Sequence, residues 1–184
     1  MHLNIPKIFQ FIDRFDQNLI KKNIRNLGII YRNYLKPINE DGLIKFKKFC
    51  EKNKFKFYLS NQVKIAIKFR LNGVYLPSFN KRTKIYNSVL PKDFKILGSA
   101  HNSIEINDKI KQGCEIIFLS PLFKNKKSHN FLDINKFNLL TLNYNYKVKF
   151  IALGGISEKN IKKIKLLNAF GYSGISFFQK KTGL

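Results

Sequence analysis

Short apolar runs alternate with amphipathic stretches along the whole chain. Three runs near its end show the pattern: Gly113–Phe123 (GCEIIFLSPLF), Phe150–Ser157 (FIALGGIS) and Tyr172–Phe178 (YSGISFF). Apolar runs of about four to eight residues that end in small or polar residues are typical of strands buried on both faces, as in a parallel sheet. The predicted strands are Ile8–Ile12, Gly28–Tyr34, Lys56–Asn61, Gly73–Pro77, Phe94–Ala100, Glu115–Pro121, Val148–Gly154 and Tyr172–Phe178.

The stretches between the predicted strands have helical periodicity. In Asp41–Lys52 and Glu158–Ala169, apolar residues recur at the i, i+3, i+4 spacing of a helix with one buried face. Side chains that accept hydrogen bonds from free helix N–H groups mark helix starts, and glycine marks helix ends. We therefore predict helix starts at Asn102 or Ser103 and at Ser157, and a helix end at Gly171.

This alternation predicts an α/β fold. Eight right-handed βα units can close into a (β/α)8 TIM barrel, which we expect as one domain over residues 1–184. An open doubly wound sheet is the alternative architecture. Only QKKTGL follows the last predicted strand, so we expect the final helix to be missing or vestigial. A homo-oligomer would cover the sheet face left open there.

The composition is that of a soluble globular protein, with 44% hydrophobic and 25% charged residues. No apolar run approaches the roughly 20 residues that cross a bilayer, and the N-terminus has no signal-peptide pattern. We therefore expect a cytoplasmic protein with no membrane partner. Cys50 and Cys114 are too few for a disulfide framework, and we predict that both are small buried hydrophobes.

The formal net charge of +24 is of the kind found in nucleic-acid-binding proteins. However, only five of the 35 basic residues are arginines, and the lysines are spread along the whole chain beside abundant Asn, Ile and Phe. A/T-rich codons would give that combination whatever the function. We interpret the charge as a solvated surface, and a basic nucleic-acid-binding protein is the alternative from another functional class.

Candidate chemistry lies at the carboxyl ends of the predicted strands, where TIM barrels carry their catalytic groups. The loops after strands seven and eight often hold a phosphate. Gly154-Gly155 and the segment after Ser173-Gly174 suit that role, because glycines let backbone N–H groups approach an anion. With the Lys-rich segment 123–130 as a cationic lid, such a mouth suits phosphorylated or pyrophosphorylated small molecules. The other polar residues predicted at this end are Asp13, Arg32, Ser60, Asn61, Ser78, Asn80, Ser99, His101, Ser120 and Gln179.

Several of these residues also have ordinary structural explanations. Arg32 lies inside an apolar run and is costly to bury alone, so it binds an anion, pairs with Asp13 or lies at the surface. His101 is either a proton carrier or a hydrogen-bonded residue at a helix start. Gly154-Gly155 can be a plain tight turn, and the lysine-rich segment a solvated loop. Since Asp13 is the only clear carboxylate at the mouth, a metal cage of several carboxylates is not supported.

The chain resembles the thiamine phosphate synthase and thiazole tautomerase (TenI-like) family. Arg32 matches the arginine of that family's strand-two motif. Each motif is weak alone, but their joint order and spacing are specific and cover most of the chain. The motifs are FYLSNQVKIA (57–66), NGVYLPS (72–78), LGSAHN (97–102), FLSPLF (118–123) with its basic loop, IALGGIS (151–157) and FGYSGIS (170–176).

The resemblance implies a transferase that joins hydroxymethylpyrimidine diphosphate to thiazole phosphate, with Mg²⁺ as cofactor, giving thiamine phosphate and pyrophosphate. Arg32 and the basic loop would hold pyrophosphate, and Ser99 would lie by the reacting centre. Gly154 and Gly155 would hold the thiazole phosphate. In the tautomerase branch, His101 of Ser99-Ala100-His101 would move a proton on the thiazole ring. The remaining implied positions are Lys126 and Lys127 for catalysis, Ser60, Asn61, Ser120 and Gln179 for substrate, and Asn61 and Asn80 for the metal.

The chain departs from the family pattern at the metal positions. The family's Asn-Asp pair falls on Ser60-Asn61, and its second metal-binding aspartate falls near Asn80, so two carboxylates are replaced by neutral groups. The lysine expected after the strand-two arginine is replaced around Tyr34. Three hypotheses follow: a diverged synthase in which lysine charge replaces part of the metal's role, a tautomerase-like enzyme that needs no metal, or a relative that binds thiazole phosphate without turnover.

Overall fold

The computed structural model describes residues 5–82, 90–125 and 129–174, and its centre is a closed barrel of parallel strands. Each strand pairs with the next in the chain, and the last pairs with the first through Ile8–Tyr172 and Phe9–Ser173. The TIM-barrel prediction is confirmed, and the open sheet is excluded. The strands are β1 (Ile8–Ile12), β2 (Gly28–Tyr31), β3 (Lys56–Ser60), β4 (Gly73–Leu76), β5 (Lys95–Ala100), β6 (Ile116–Leu119), β7 (Lys149–Leu153) and β8 (Gly171–Ser173).

Helices cover the outside of this barrel. The predicted helix start before Ile104 is confirmed, because the side chain of Asn102 accepts a hydrogen bond from the backbone N–H of Glu105 at 3.0 Å. Asn39 caps the first helix in the same way through the N–H of Gly42. The described α-helices are α1 (Glu40–Lys52), α2 (Val63–Lys68), α3 (Ser103–Lys111) and α4 (Asp133–Leu142), and two short 3₁₀ helices span Gln17–Leu19 and Ile161–Leu166.

The helix predicted over Glu158–Ala169 is wrong in type and extent. The segment forms only the 3₁₀ helix Ile161–Leu166, none of whose residues is fully buried. Asn160 delays its start: the Asn160 side chain accepts from the N–H of Ser157 and donates to the carbonyl of Gly155, both at 2.8 Å. Because these bonds close a turn over 155–160, Ser157 is not a helix cap.

Gly171 is not a helix end but the first residue of β8. A Cβ atom there would collide with the backbone of Lys7, 2.6 Å from its carbonyl carbon. Glycine is therefore required here because two neighbouring backbones come into close contact. At a helix end it would have been required for its conformational freedom.

Large aromatic side chains fill the barrel interior. Phe118 contacts Phe9 and Phe11 edge to face, with ring centroids 5.0 and 5.7 Å apart, and Tyr75 packs against the same ring. Such edge-to-face pairs add to the stabilisation that comes from burial. Because this interior is packed, a ligand has room only at an end of the barrel, and the carboxyl ends of the strands carry the polar groups.

A second apolar layer lies between the barrel wall and the helices, where Phe46 of α1 packs on Phe57 of β3. Cys50 and Cys114 are free and buried, as predicted. No helix in the described ranges is both long enough and apolar enough to cross a bilayer. The final-helix prediction concerns residues beyond Gly174 and lies outside the described residues.

Candidate active site

Arg32 lies just past the end of β2, where its backbone N–H continues the β1–β2 ladder by donating to the carbonyl of Ile12 at 2.8 Å. The guanidinium carbon stands 4.9 Å from the centroid of the Phe11 ring. No described carboxylate lies within ion-pair distance of this guanidinium, so the predicted alternative of a pair with Asp13 is not observed. The cation rests on an aromatic face, and its N–H groups are left for an anion.

Two tyrosine–serine pairs flank Arg32. The Tyr34 hydroxyl lies 2.7 Å from the Ser60 Oγ, and the buried Tyr75 has the Ser99 side chain as a neighbour. Burial raises the pKa of Tyr75 to about 12, while the neighbouring Ser99 and the charge of Arg32 act to lower it. Burial raises the pKa of Tyr34 too, against the opposing effects of Ser60 and Arg32. Both phenols are therefore neutral near pH 7 and can donate hydrogen bonds.

Asn61 and Asn80, the two predicted metal positions, are in contact. The Asn80 Nδ2 donates to the Asn61 Oδ1 at 2.6 Å, and the Asn80 Oδ1 accepts from the backbone N–H of Arg82 at 3.0 Å. Asn61 has φ +61° and donates its backbone N–H to the carbonyl of Tyr75. The carboxyl ends of β3 and β4 therefore meet through a pair of amides.

Gly154 and Gly155 follow β7 with φ of +92° and +71°. A Cβ on Gly155 would collide with the backbone of Phe123, 2.7 Å from its carbonyl carbon, so glycine is needed for the β7 loop to pack on the β6 loop. The backbone N–H groups of Gly154, Gly155 and Ile156 donate to no described residue. Packing thus explains the glycine pair, and it leaves consecutive N–H groups that suit an anion.

Ser99 and His101 have different surroundings. Ser99 is buried at the end of β5, whereas the side chain of His101 is 46% exposed. The His101 Nδ1 lies 2.8 Å from the Glu105 Oε2, which also accepts the backbone N–H of His101. The carboxylate therefore orients this ring. Ser120 follows β6 and is half-buried, with its backbone N–H donating to the carbonyl of Ala100.

Three predicted site residues, Lys126, Lys127 and Gln179, lie outside the described residues. Sequence reasoning missed Tyr34 and Tyr75 as parts of the site, although both are polar-tipped aromatics at strand ends. It also missed the buried Lys109, because a lysine in an amphipathic helix is normally a surface residue. Within the described ranges, no three His, Cys, Asp or Glu side chains are grouped as a metal site would require.

Most of the sequence matches a known protein family. Residues 39–178 match the family model TMP-TENI, described as thiamine monophosphate synthase. The chain belongs to this family. The resemblance predicted from the motifs is therefore confirmed, and the match includes every predicted catalytic, substrate-binding and metal position except Arg32 and Gln179.

Curated relatives carry the same name as the family. A thiamine-phosphate synthase of Prochlorococcus marinus subsp. pastoris is 34% identical over 125 residues, which is 66% of this chain and 35% of the relative. The chain spans 34% to 41% of the length of the three Prochlorococcus relatives it matches. A thiamine-phosphate synthase of Hydrogenobaculum is 21% identical over 90% of this chain and 79% of its own length.

Solved structures confirm the fold of this TMP-TENI family member. Thiamine phosphate pyrophosphorylase from Pyrococcus furiosus superposes with a TM-score of 0.71 at 14% identity, covering 95% of this chain and 87% of that one. A structure titled native KDPGal gives nearly the same TM-score, 0.70 at 10% identity, over 97% of this chain and 87% of that one. The superpositions therefore establish the barrel, and the family rests on the sequence match.

Proposed function

We propose that the chain is a thiamine phosphate synthase: it joins hydroxymethylpyrimidine diphosphate to thiazole phosphate and releases pyrophosphate. The observation that carries this proposal is Arg32, a guanidinium without a described carboxylate partner, between two neutral hydroxyl pairs at the carboxyl end of the barrel. Family membership supplies the reaction, and the site offers groups suited to its charged parts. Small phosphorylated substrates are the expected ligands, and the cytoplasm is the expected compartment.

In the proposed reaction, the bond between the pyrimidine CH₂ carbon and the diphosphate oxygen breaks, and its electron pair leaves with pyrophosphate. The lone pair of the thiazole nitrogen then forms the new C–N bond. Negative charge increases on the leaving oxygen, so Arg32 and the hydroxyl of Ser99 would stabilise the transition state more than the bound substrate. Ser60, whose hydroxyl contacts that of Tyr34, would also help to stabilise the charge on the leaving oxygen.

The other substrate would lie on the opposite side of the proposed site. The N–H groups of Gly154 and Gly155, which donate to no described residue, would hold the thiazole phosphate. Ser120, which follows the adjacent β6, would contact the thiazole. Lys126, Lys127 and Gln179 remain predicted contacts to pyrophosphate and substrate. A single barrel mouth would thus hold both anions and orient the nitrogen toward the carbon it attacks.

Mg²⁺ is the cofactor that the family resemblance implies. Asn61 and Asn80 do not fit it as they are arranged, because neither is a carboxylate and each amide oxygen already uses one of its two lone pairs to accept an N–H group. Mg²⁺ takes oxygen ligands and is usually held by one or two carboxylates together with substrate phosphates. The role of Asn61 and Asn80 as metal ligands therefore stays a prediction, and no step is assigned to the ion.

The deciding experiment is an assay of thiamine phosphate formation with both substrates, run with and without Mg²⁺. We expect product that depends on both substrates. Turnover only with Mg²⁺ would mean that the ion is bound by groups other than these amides or with the diphosphate itself. No product under either condition, with thiazole phosphate still bound, would reject the synthase in favour of the tautomerase or the non-catalytic relative.

A tautomerase-like activity is the second candidate, and the His101–Glu105 pair favours it. A histidine ring held at 2.8 Å by a carboxylate is typical of proton-transfer sites. The substitution His101→Gln distinguishes the synthase from the tautomerase. In a tautomerase this substitution abolishes isomerisation of thiazole phosphate, followed by NMR, whereas in a synthase thiamine phosphate formation continues.

A further inference from the structure

Lys109 is a fully buried lysine on α3, a helix that otherwise faces solvent along one side. Its Nζ donates to the carbonyl of Pro77, the carbonyl of Asn80 and the Oε1 of Gln112, all at 2.8 Å. Burying an ammonium group is costly unless it is fully hydrogen-bonded, and here each N–H has an acceptor. Two of these acceptors belong to the loop that follows β4.

The bonding pattern determines the charge of Lys109. Gln112 uses its Nε2 to donate to the carbonyls of Asn80 and Arg82, both at 2.9 Å, so its Oε1 can only accept. Three acceptors around Nζ require three N–H groups, which only the ammonium form has. Burial lowers the pKa of Lys109, and Glu105 and Asp108 on the same helix oppose that effect.

Lys109 and Gln112 thus fix the backbone of the β4 loop, since both donate to the Asn80 carbonyl, and Lys81 adds an outer contact to Asp108 at 3.4 Å. The fixed backbone presents the N–H of Arg82 to the Oδ1 of Asn80. This bond decides which way the Asn80 amide is turned, and its Nδ2 therefore donates to Asn61.

The orientation of the Asn80 amide determines which atom of the Asn61 amide is left to bind a ligand. Since the Oδ1 of Asn61 accepts from Asn80, its Nδ2 is the free end of the amide pair, and it donates to no described residue. The ammonium of Lys109 bonds the Asn80 carbonyl, and the charge of Arg32 acts on Tyr34, the hydrogen-bond partner of the neighbouring Ser60. N–H donors in this cationic setting suit an anion, whereas a divalent cation needs oxygen ligands.

We infer that Lys109 and Gln112 are positioning residues that hold Asn80 against Asn61, so that the amide pair presents N–H donors and binds the diphosphate of the substrate directly. The inference rests on the proposed function for the identity of the diphosphate substrate. A positioning role can be told apart from a purely structural one. If Lys109 and Gln112 position the amide pair, removing their bonds to the β4 loop must weaken diphosphate binding more than removing a similar buried hydrogen bond elsewhere in the protein.

The test measures binding of inorganic pyrophosphate by calorimetry without Mg²⁺, in the full chain and in Lys109→Met. We expect the variant to bind about tenfold more weakly, or worse, because a small displacement of positioned groups is costly. Hydrogen exchange at the Arg82 amide should be faster in the variant. Gln112→Met keeps the Lys109 bonds to Pro77 and Asn80, and we expect it too to weaken pyrophosphate binding and to speed exchange at the Arg82 amide. If Lys109→Met does not fold, Gln112→Met is the deciding variant.

Gln10→Met is the matched control. Gln10 is also buried and holds the backbone of Leu19 and Lys21, away from the β4 loop. It should lower the Tm and leave pyrophosphate affinity and Arg82 exchange unchanged. The inference is overturned if folded Lys109→Met or Gln112→Met binds like the parent, if Gln10→Met weakens binding equally, or if the parent binds no pyrophosphate. Parent protein that binds pyrophosphate but makes no thiamine phosphate would reject the proposed function and leave this inference standing.

Discussion

Arg32 is held by contacts that leave its charge available. Its guanidinium rests on the Phe11 ring at 4.9 Å, and its backbone is fixed by the bond to Ile12. A planar guanidinium offers a fork of N–H groups that matches two phosphate oxygens at once, which a lysine ammonium cannot do. The neighbouring phenols stay neutral, so nothing described at this position competes with a bound anion.

Arg32→Lys should lower kcat/KM for the diphosphate substrate by about tenfold, since the charge is kept but the paired hydrogen bonds are lost. Steady-state kinetics with the diphosphate varied would show this mainly as a lower kcat, because Arg32 is proposed to stabilise the transition state more than the bound substrate. Arg14→Lys is the matched control, because the Arg14 side chain is 66% exposed and pairs with Asp16 at 3.6 Å. Equal kinetics in the two variants would contradict the role given to Arg32.

The Tyr34–Ser60 pair gives a prediction about stability. Tyr34→Phe leaves the buried Ser60 hydroxyl without its partner, which should lower the free energy of unfolding by about 1 kcal/mol. Urea unfolding would measure it. Tyr146→Phe removes a hydroxyl from a ring that is 78% exposed and should change the stability little. If both substitutions cost the same, the 2.7 Å contact contributes nothing specific.

At the scale of elements, all eight strands begin within a residue of their predicted starts, although β2 ends at Tyr31, three residues before its predicted end. The connection from β7 to β8 did not follow from the sequence. Apolar runs bounded by turns fixed the position of β7 to within a residue at either end, because burial on both faces leaves a strong pattern. The helix expected over Glu158–Ala169 had the right periodicity, but periodicity does not show the side-chain bonds of Asn160 that close the preceding turn. Local competition by an asparagine side chain overrode the pattern.

The β6 and β7 loops should be sensitive to a single methyl group. Gly155→Ala forces a Cβ into the backbone of Phe123 and adds strain at φ +71°, so we expect a loss of more than about 2 kcal/mol in unfolding free energy. Thiazole phosphate affinity should fall with it. Denaturant unfolding and calorimetry would measure the two effects.

Gly113→Ala separates strain from collision. Gly113 has φ +78°, but its Cβ would meet only the Ile96 side chain at 3.6 Å, an ordinary contact. We expect it to lose about 1 kcal/mol, the cost of the left-handed conformation alone, and to keep thiazole phosphate affinity. A larger loss in Gly113→Ala than in Gly155→Ala would show that loop packing does not limit this end of the barrel.

For the whole molecule, the barrel was predictable because strand order follows chain order in a (β/α)8 fold. The meeting of Asn61 and Asn80 follows from the same rule, since residues after neighbouring strands share one edge. The contacts of Lys109 were not predictable, because its acceptors are backbone carbonyls of a loop about 30 residues earlier in the chain. Residue types at strand ends can be found from sequence, whereas the groups that orient them depend on packing.

The net charge of +24 yields the last prediction. With 35 basic and 11 acidic residues, most cations have no opposite partner, and their mutual repulsion destabilises the compact state. Salt shortens the reach of that repulsion from about 10 Å at 0.1 M to about 3 Å at 1 M. We therefore expect the Tm to rise by roughly 2–4 °C between 0.05 and 0.5 M NaCl, equivalent to about 1 kcal/mol. KCl should act like NaCl, because screening depends on ionic strength. A Tm that falls with added salt would show that the lysines are stabilised by pairing.

A duplex DNA titration over the same salt range tests the nucleic-acid alternative. Nonspecific attraction between the basic surface and DNA predicts weak binding that is lost by about 0.2 M salt. Saturable binding that persists at about 0.2 M salt would instead support a nucleic-acid-binding protein.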